Sequence, residues 1–122
     1  MSEQDEIDVV NDQVGAPTWA RDLADVVIDH ATNNFGEDIV HAVASGRTTW
    51  FQFAEEIRRQ LPNSQQKSVR GIPSASRETA ARRPAWSVLD NSATSGLVIG
   101  DWLERWNKAS GRLIPNINEN NT

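Results

Sequence analysis

The period of the apolar positions changes several times along the chain, and each change marks an element. Ile7 to Val10 is a short β-type run, and Asn11 to Pro17 after it is dense in turn formers, so a strand is predicted to end there. From Thr18 onward Trp19, Leu23, Val26, Val27 and Ala31 recur at helical spacing, while Arg21, Asp22, Asp25 and Asp29 face outward. Asn33, Asn34 and Gly36 close that helix. Ile39 to Ala44, apolar at nearly every position, reads as a fairly buried strand ended by Ser45-Gly46. Thr49 with Gln52 three residues later is a capping box, and Trp50, Phe53, Ala54, Ile57 and Leu61 mark one face of a second helix stopped by Pro62. Ser68 to Ile72 forms a further short strand, Pro73 to Pro84 carries neither period, and Trp86 to Leu89 alternates weakly. Asp90 caps a short helix through Leu97. Asp101 with Glu104 caps another that contains Trp102, Leu103 and Trp106 and that Gly111 ends. The expected fold is a small mixed α/β domain with few short strands and three to four helices, over residues 1–112. Residues 113–122, where Asn is frequent, are expected to be a disordered tail.

Composition narrows the chemistry. A chain of 122 residues is enough for one modest core, and its five Trp carry much of the apolar bulk. Cys is absent, which excludes a disulfide scaffold, a thiolate metal site and a cysteine nucleophile, and fits a reducing cytoplasm. The acidic start and the lack of a long apolar run predict neither secretion nor a membrane span. The net charge of -5 argues against general nucleic-acid binding, yet the charge is polarised: residues 1–38 hold ten acids and one base, residues 39–83 eight bases and three acids. Arg70, Arg77, Arg82 and Arg83 bring this positive charge into one loop-rich stretch suited to a small polyanion such as a pyrophosphate, or to a solvated surface that balances the acidic first third.

Three strings carry a resemblance. They are Val9-Val10-Asn11-Asp12-Gln13-Val14-Gly15-Ala16-Pro17-Thr18 with Asp22-Leu23-Ala24, then Thr49 to Ile57, then Arg82-Arg83-Pro84-Ala85-Trp86-Ser87-Val88-Leu89-Asp90. In this order and at about this spacing they resemble the C-terminal part of the dTDP-4-dehydrorhamnose reductases, extended short-chain dehydrogenase/reductases, from about Ile7 to Trp102. The resemblance implies the substrate-binding portion of a cytoplasmic oxidoreductase of dTDP-rhamnose biosynthesis, which reduces dTDP-4-dehydro-L-rhamnose with NADPH, some members requiring Mg²⁺. It also implies partners: a dTDP-linked nucleotide sugar, and a missing Rossmann domain in cis or in trans. The chain itself has no Tyr to act as proton donor, and its seven Gly nowhere form a dinucleotide-binding turn, so no cofactor site and no activity alone are expected. A truncated chain, a split gene or a degenerate homologue fits this, as does a catalytically dead regulatory or interaction module of the same family.

The same resemblance suggests substrate-binding residues, and each has a plainer structural reading beside it. Arg83, with Arg82 as the neighbouring candidate, occupies the position from which an Arg of an Arg-Pro pair meets the pyrophosphate; the alternative is an ion pair to the acidic first helix. Gln13 and Thr18 flank a turn that lines the sugar pocket or is only a turn. Trp86 is the one Trp allowed a ligand role, the others being core. His30 and His41 lack metal-ligand spacing, and Asp5, Glu6, Asp8 and Asp12 read as a solvated acidic end rather than a Mg²⁺ site.

Overall fold

Two parallel strands brought together across sixty residues of chain organise the molecule. The structure, a computed structural model, describes residues 5–33, 39–91 and 99–119. Strand β1, Glu6–Val10, is followed by β2, Val14–Gly15, helix α1, Ala20–Asn33, β3, Thr48–Thr49, helix α2, Trp50–Gln60, β4, Ser68–Ile72, and helix α3, Trp102–Glu119. Single 3-10 turns lie at Asn63–Gln65 and Ser74–Ser76. β1 pairs in parallel with β4, from Glu6 opposite Ser68 to Val10 opposite Ile72, and α2 packs against both strands. β2 pairs antiparallel with β3, and Val14 forms a parallel bridge to Trp86. This is the small mixed α/β fold with few strands that the periodicities predict.

The second helix forms as its sequence dictates. Thr49 Oγ1 accepts from the Gln52 amide at 3.1 Å and the Gln52 side chain accepts from the Thr49 amide at 3.1 Å, closing the capping box. Phe53, on its inner face, meets the rings of Trp102 and Trp106 edge-on, with centroids 6.0 and 5.3 Å apart, which joins α2 to α3. At the start of α3 Asp101 accepts from the Leu103 amide as an N-cap, and Ser45 bridges to Gly100 and Trp102 through two backbone hydrogen bonds. Gly46 makes that approach possible. Its φ is 81°, and a Cβ there would lie 2.7 Å from the Asp101 carboxylate.

Three expectations need correction. The run Ile39–Ala44 is no strand: Val43 and Ala44 are buried as expected, but their backbone is met by the Asn91 amide and the Thr18 hydroxyl, not by a neighbouring strand. Ile39, at the start of the run, is 81% exposed, so the apolar pattern left both the extent of burial and the hydrogen-bonding partner open. Gly111 does not stop the last helix, which continues through Pro115 to Glu119, well into the expected tail at 113–122. A helical Gly costs only about 1 kcal/mol relative to Ala when it is not held in the left-handed conformation. Trp102, Trp106 and Ala109 pack the helix up to this point, and beyond it the Arg112 guanidinium lies 5.9 Å from the Trp19 ring centre, tying the extension to the start of α1. The short helix expected from Asp90 to Leu97 lies mostly outside the described residues.

The third correction concerns α1, where Asp22 turns inward while Arg21, Asp25 and Asp29 are exposed as expected. Asp22, expected to face outward, is 7% exposed, and Arg105 of α3 grips it with two hydrogen bonds, Nε to Oδ2 at 2.9 Å and Nη2 to Oδ1 at 2.6 Å. The apolar stripe faces out instead: Leu23 is exposed, Val27 by 58% and Ile28 by 64%. Asp22→Ala would leave Arg105 facing a buried gap, so the melting temperature should fall by roughly 10 °C or more in a calorimetric scan, while Asp25→Ala on the exposed side should move it by less than about 3 °C. Equal shifts would mean that the pair does not hold α1 in place.

Candidate functional site

The irregular segment 73–85 has a defined path because both of its ends are tied to the chain just after β1. At the first end Asp12 clasps the 3-10 turn: its carboxylate accepts from the Ser74 amide at 3.0 and 3.1 Å and from the Ser74 hydroxyl at 2.9 Å. At the second end the Val14 amide donates to the Ala85 carbonyl at 2.8 Å and the Ser87 amide donates to Val14 at 2.9 Å. Gln13 sits between these anchors. Within the loop the Thr79 hydroxyl donates to the Ala81 carbonyl at 2.7 Å and makes a local turn. The loop and the end of β1 together enclose an open cavity of about 1140 Å³ whose wall includes Gln13, Arg77, Thr79, Arg82 and Arg83.

Of the residues suggested by sequence, Arg82, Arg83 and Gln13 meet in this cavity; Thr18 and Trp86 do not line it. The Thr18 hydroxyl donates to the Ala16 carbonyl and accepts from the Ala44 amide, so its work is to hold the segment before Ser45. Trp86 is 55% exposed and stacks under the Arg47 guanidinium, 5.3 Å from its ring centre. Arg70 also leaves the expected arginine cluster. It lies on β4, forks onto Asp8 at 2.8 and 2.9 Å and reaches Glu6 at 3.2 Å. Arg82 and Arg83 make no ion pair among the described residues, and the expected alternative, a bridge from Arg83 to the first helix, is not formed. Glu78 and Asp12 share the wall, so three guanidinium groups face two carboxylates there.

Sequence reasoning overlooked Asp12 and Ser74 as the clasp that shapes the cavity. Their sixty-residue separation gave no local signal; only the β1–β4 register, which sets Val10 opposite Ile72, brings them together. Of the acids considered for Mg²⁺, Asp8 and Glu6 are engaged by Arg70 and Asp12 by Ser74, and no group of three His, Asp or Glu suited to a metal occurs among the described residues. No helix among the described residues is long and apolar enough to cross a membrane.

Comparison with protein families matches residues 1–118 to the RmlD substrate binding domain. The chain belongs to that family. Among curated proteins this RmlD-type domain is 37% identical over 111 residues to a probable dTDP-4,6-dihydroxy-2-methyloxan-3-one 4-ketoreductase of Streptomyces antibioticus, covering 91% of this chain and 37% of the relative. It is 38% identical over 112 residues to the dTDP-4-dehydrorhamnose reductase of Escherichia coli K12, covering 82% of this chain and 37% of that enzyme. Among solved structures it superposes on the dTDP-4-dehydrorhamnose reductase of Clostridium acetobutylicum with a TM-score of 0.76 at 32% identity, over 86% of this chain and 38% of the other. The enzyme from Bacillus anthracis, solved in complex with NADP, gives 0.71 at 28% identity, over 84% and 37%. The RmlD-type domain thus spans a little over a third of the length of the relatives it matches.

The clasp has a definite pH signature. Hydrogen bonds from the Ser74 backbone, and then from its side chain, hold the Asp12 carboxyl below its ordinary value of 3.8. A carboxyl whose pKa is depressed by folding contributes stability above its unfolded pKa and loses it as pH falls through the folded value. The clasp should therefore stay closed at neutral and mildly acidic pH and open only below about pH 4. The Ser74 amide proton shift, followed by NMR, should titrate with a midpoint under 3.8, and Asp12→Ala should abolish that titration. A midpoint above this value would mean that the clasp does not form.

Proposed function

We propose that this chain forms the nucleotide-sugar-binding face of an oxidoreductase of the dTDP-4-dehydrorhamnose reductase kind, with Arg83 and Arg82 meeting the pyrophosphate of a dTDP-linked sugar. The observation that carries this is the pair of guanidinium groups, free of ion pairs among the described residues, on a loop pinned at both ends around one open cavity. A planar guanidinium offers two parallel N–H donors to phosphate oxygens, and Pro84 biases Arg83 toward an extended backbone. Gln13, held between the anchors, adds an amide with both donors and an acceptor for sugar or base groups. Pinning matters because a pre-ordered loop loses little entropy when the ligand arrives.

The reduction itself needs a nicotinamide and a proton donor. The residues of this chain do not fit a dinucleotide, since no glycine-rich phosphate turn occurs in the sequence, and with no Tyr they lack the expected acid. In this reading NADPH and the acid come from a cofactor-binding part in cis or in trans. The present residues bind and orient the sugar nucleotide and have no turnover alone: an NADPH absorbance assay of the purified chain with the 4-keto sugar should stay at background. Turnover above it would overturn that part of the reading.

The binding role is tested by calorimetric titration of dTDP into the chain. Arg83→Ala should weaken binding about ten- to a hundredfold, with Arg83→Lys recovering only part, because a point charge replaces a fork. If Arg82→Ala alone weakens binding, Arg82 and not Arg83 is the contact. If the wild-type chain does not bind dTDP, the reading fails in favour of an interaction module.

A further inference from the structure

Asp12 stands in the wall of the arginine cavity and also closes one end of the loop that carries the arginines. The two positions act on an anion in opposite senses. A carboxylate beside a polyanion opposes its binding by charge alone, so Asp12 favours such a ligand only through what it does to the loop. Its place in the fold makes that effect direct. The ladder between β1 and β4 runs one step past β1, where the Asn11 amide donates to the Ile72 carbonyl at 2.9 Å. Gly71 leaves room for Asn11 to lie across β4, since a Cβ there would stand 3.0 Å from Asn11 Nδ2 and 3.3 Å from Asn11 Cβ. Asp12 and Ser74 therefore leave the sheet side by side, and Ser74 opens the 3-10 turn that leads to Arg77. The other end of the loop is tied at Ala85, directly after Arg82-Arg83-Pro84. Between the ties Arg77, Arg82 and Arg83 repel one another, and Glu78 is the one carboxylate of the segment 73–85. With the first tie cut, the loop is held at one end and its ordering falls to the ligand.

We infer that Asp12 is a positioning residue for phosphate recognition: by clasping Ser74 it sets Arg82 and Arg83 around the cavity before the ligand arrives, an effect that outweighs the repulsion of its own charge. This rests on the pyrophosphate reading given above. The clasp asks for an oxygen acceptor at position 12 and not for a charge. Both Oδ atoms accept from the Ser74 amide and Oδ2 also accepts from its hydroxyl, and the oxygen of an Asn side chain has two lone pairs for the same donors. Shape and charge at this position can therefore be separated by one substitution.

The experiment titrates inorganic pyrophosphate and dTDP calorimetrically into the whole chain, as wild type, Asp12→Ala, Asp12→Asn and Ser74→Ala, with a thermal melt showing that each is folded at the titration temperature. Asp12→Ala should weaken both ligands about tenfold. Asp12→Asn, which keeps the acceptor and loses the repulsion, should bind at least as tightly as wild type. Ser74→Ala, which loses the hydroxyl and keeps the amide bond, should weaken binding about threefold, and carries the test if Asp12→Ala does not fold. In an Arg83→Ala background the effect of Asp12→Ala should shrink, because Asp12 acts through the arginines. Tighter binding by both Asp12 variants would mean that the carboxylate acts by its charge alone and would overturn the inference. Equal loss in Asp12→Asn and Asp12→Ala would give the charge itself a role at the ligand, and unchanged affinity in Asp12→Ala and Ser74→Ala would leave the clasp without one; either overturns it. In all these outcomes the pyrophosphate reading stands. If the wild type binds neither ligand, both fall.

Discussion

The bidentate contact between Asp22 and Arg105 fixes where α1 and α3 sit, and much of the rest follows from its being polar. The described hydrophobic residues that are buried are few, Val43, Ala44, Ile99 and Ala109, so apolar burial alone specifies little of the helix placement. A directional pair in a poorly hydrated site supplies that specification, because only one geometry satisfies both carboxylate oxygens. The hydrogen bond to Asp22, with the charges of Asp22, Glu104 and Asp25 behind it, holds the Arg105 pKa above its ordinary value. The consequence is a helix rotated away from the face its period suggests. With Asp22 turned in one turn from half-buried Val26, α1 leaves Leu23, Val27 and Ile28 facing out beside the exposed Arg21, Asp25 and Asp29.

This rotation shows why the sequence was readable in some places and misleading in others. The capping box at Thr49 and Gln52, the strands at Ile7 to Val10 and Ser68 to Ile72, and the N-cap at Asp101 are local devices whose partners lie within a few residues or whose period is unambiguous. The helix at Ala20 to Asn33 was legible as a helix because its period is intrinsic, but which face is buried depends on what the rest of the molecule presents. Asp22 could not announce a partner 83 residues away. The run from Ile39 to Ala44 shows the same limit, since its apolarity reported the burial of Val43 and Ala44 while nothing in it reported the absence of a pairing strand.

The site shows a similar division. The arginine string was visible as charge in an otherwise acidic chain, and Gln13 as a residue beside a turn; the cavity that unites them was not, because it depends on the β1–β4 register and on the Asp12 clasp. Register did the decisive work. A shift of one residue would move Asp12 away from Ser74 and turn every side chain of β1 to the opposite face. Thr18 and Trp86, suggested beside them, do not line that cavity: the Thr18 hydroxyl is engaged with Ala16 and Ala44, and Trp86, bridged to Val14, stacks against Arg47.

The two faces of the molecule therefore answer to separate demands. The arginine cavity is assembled from the end of β1 and the pinned loop, whose anchors are hydrogen bonds to Asp12 and Val14. The outward apolar stripe of α1 does not line it and supplies none of these anchors. Covering Leu23, Val27 and Ile28 would add apolar burial of about 1.5 to 3 kcal/mol for each side chain fully removed from water, without altering a single hydrogen bond that shapes the cavity. Stability and binding geometry can thus change independently in this chain: whatever covers the stripe acts on how firmly the domain is folded, while the register of β1 and β4 acts on what the cavity can hold.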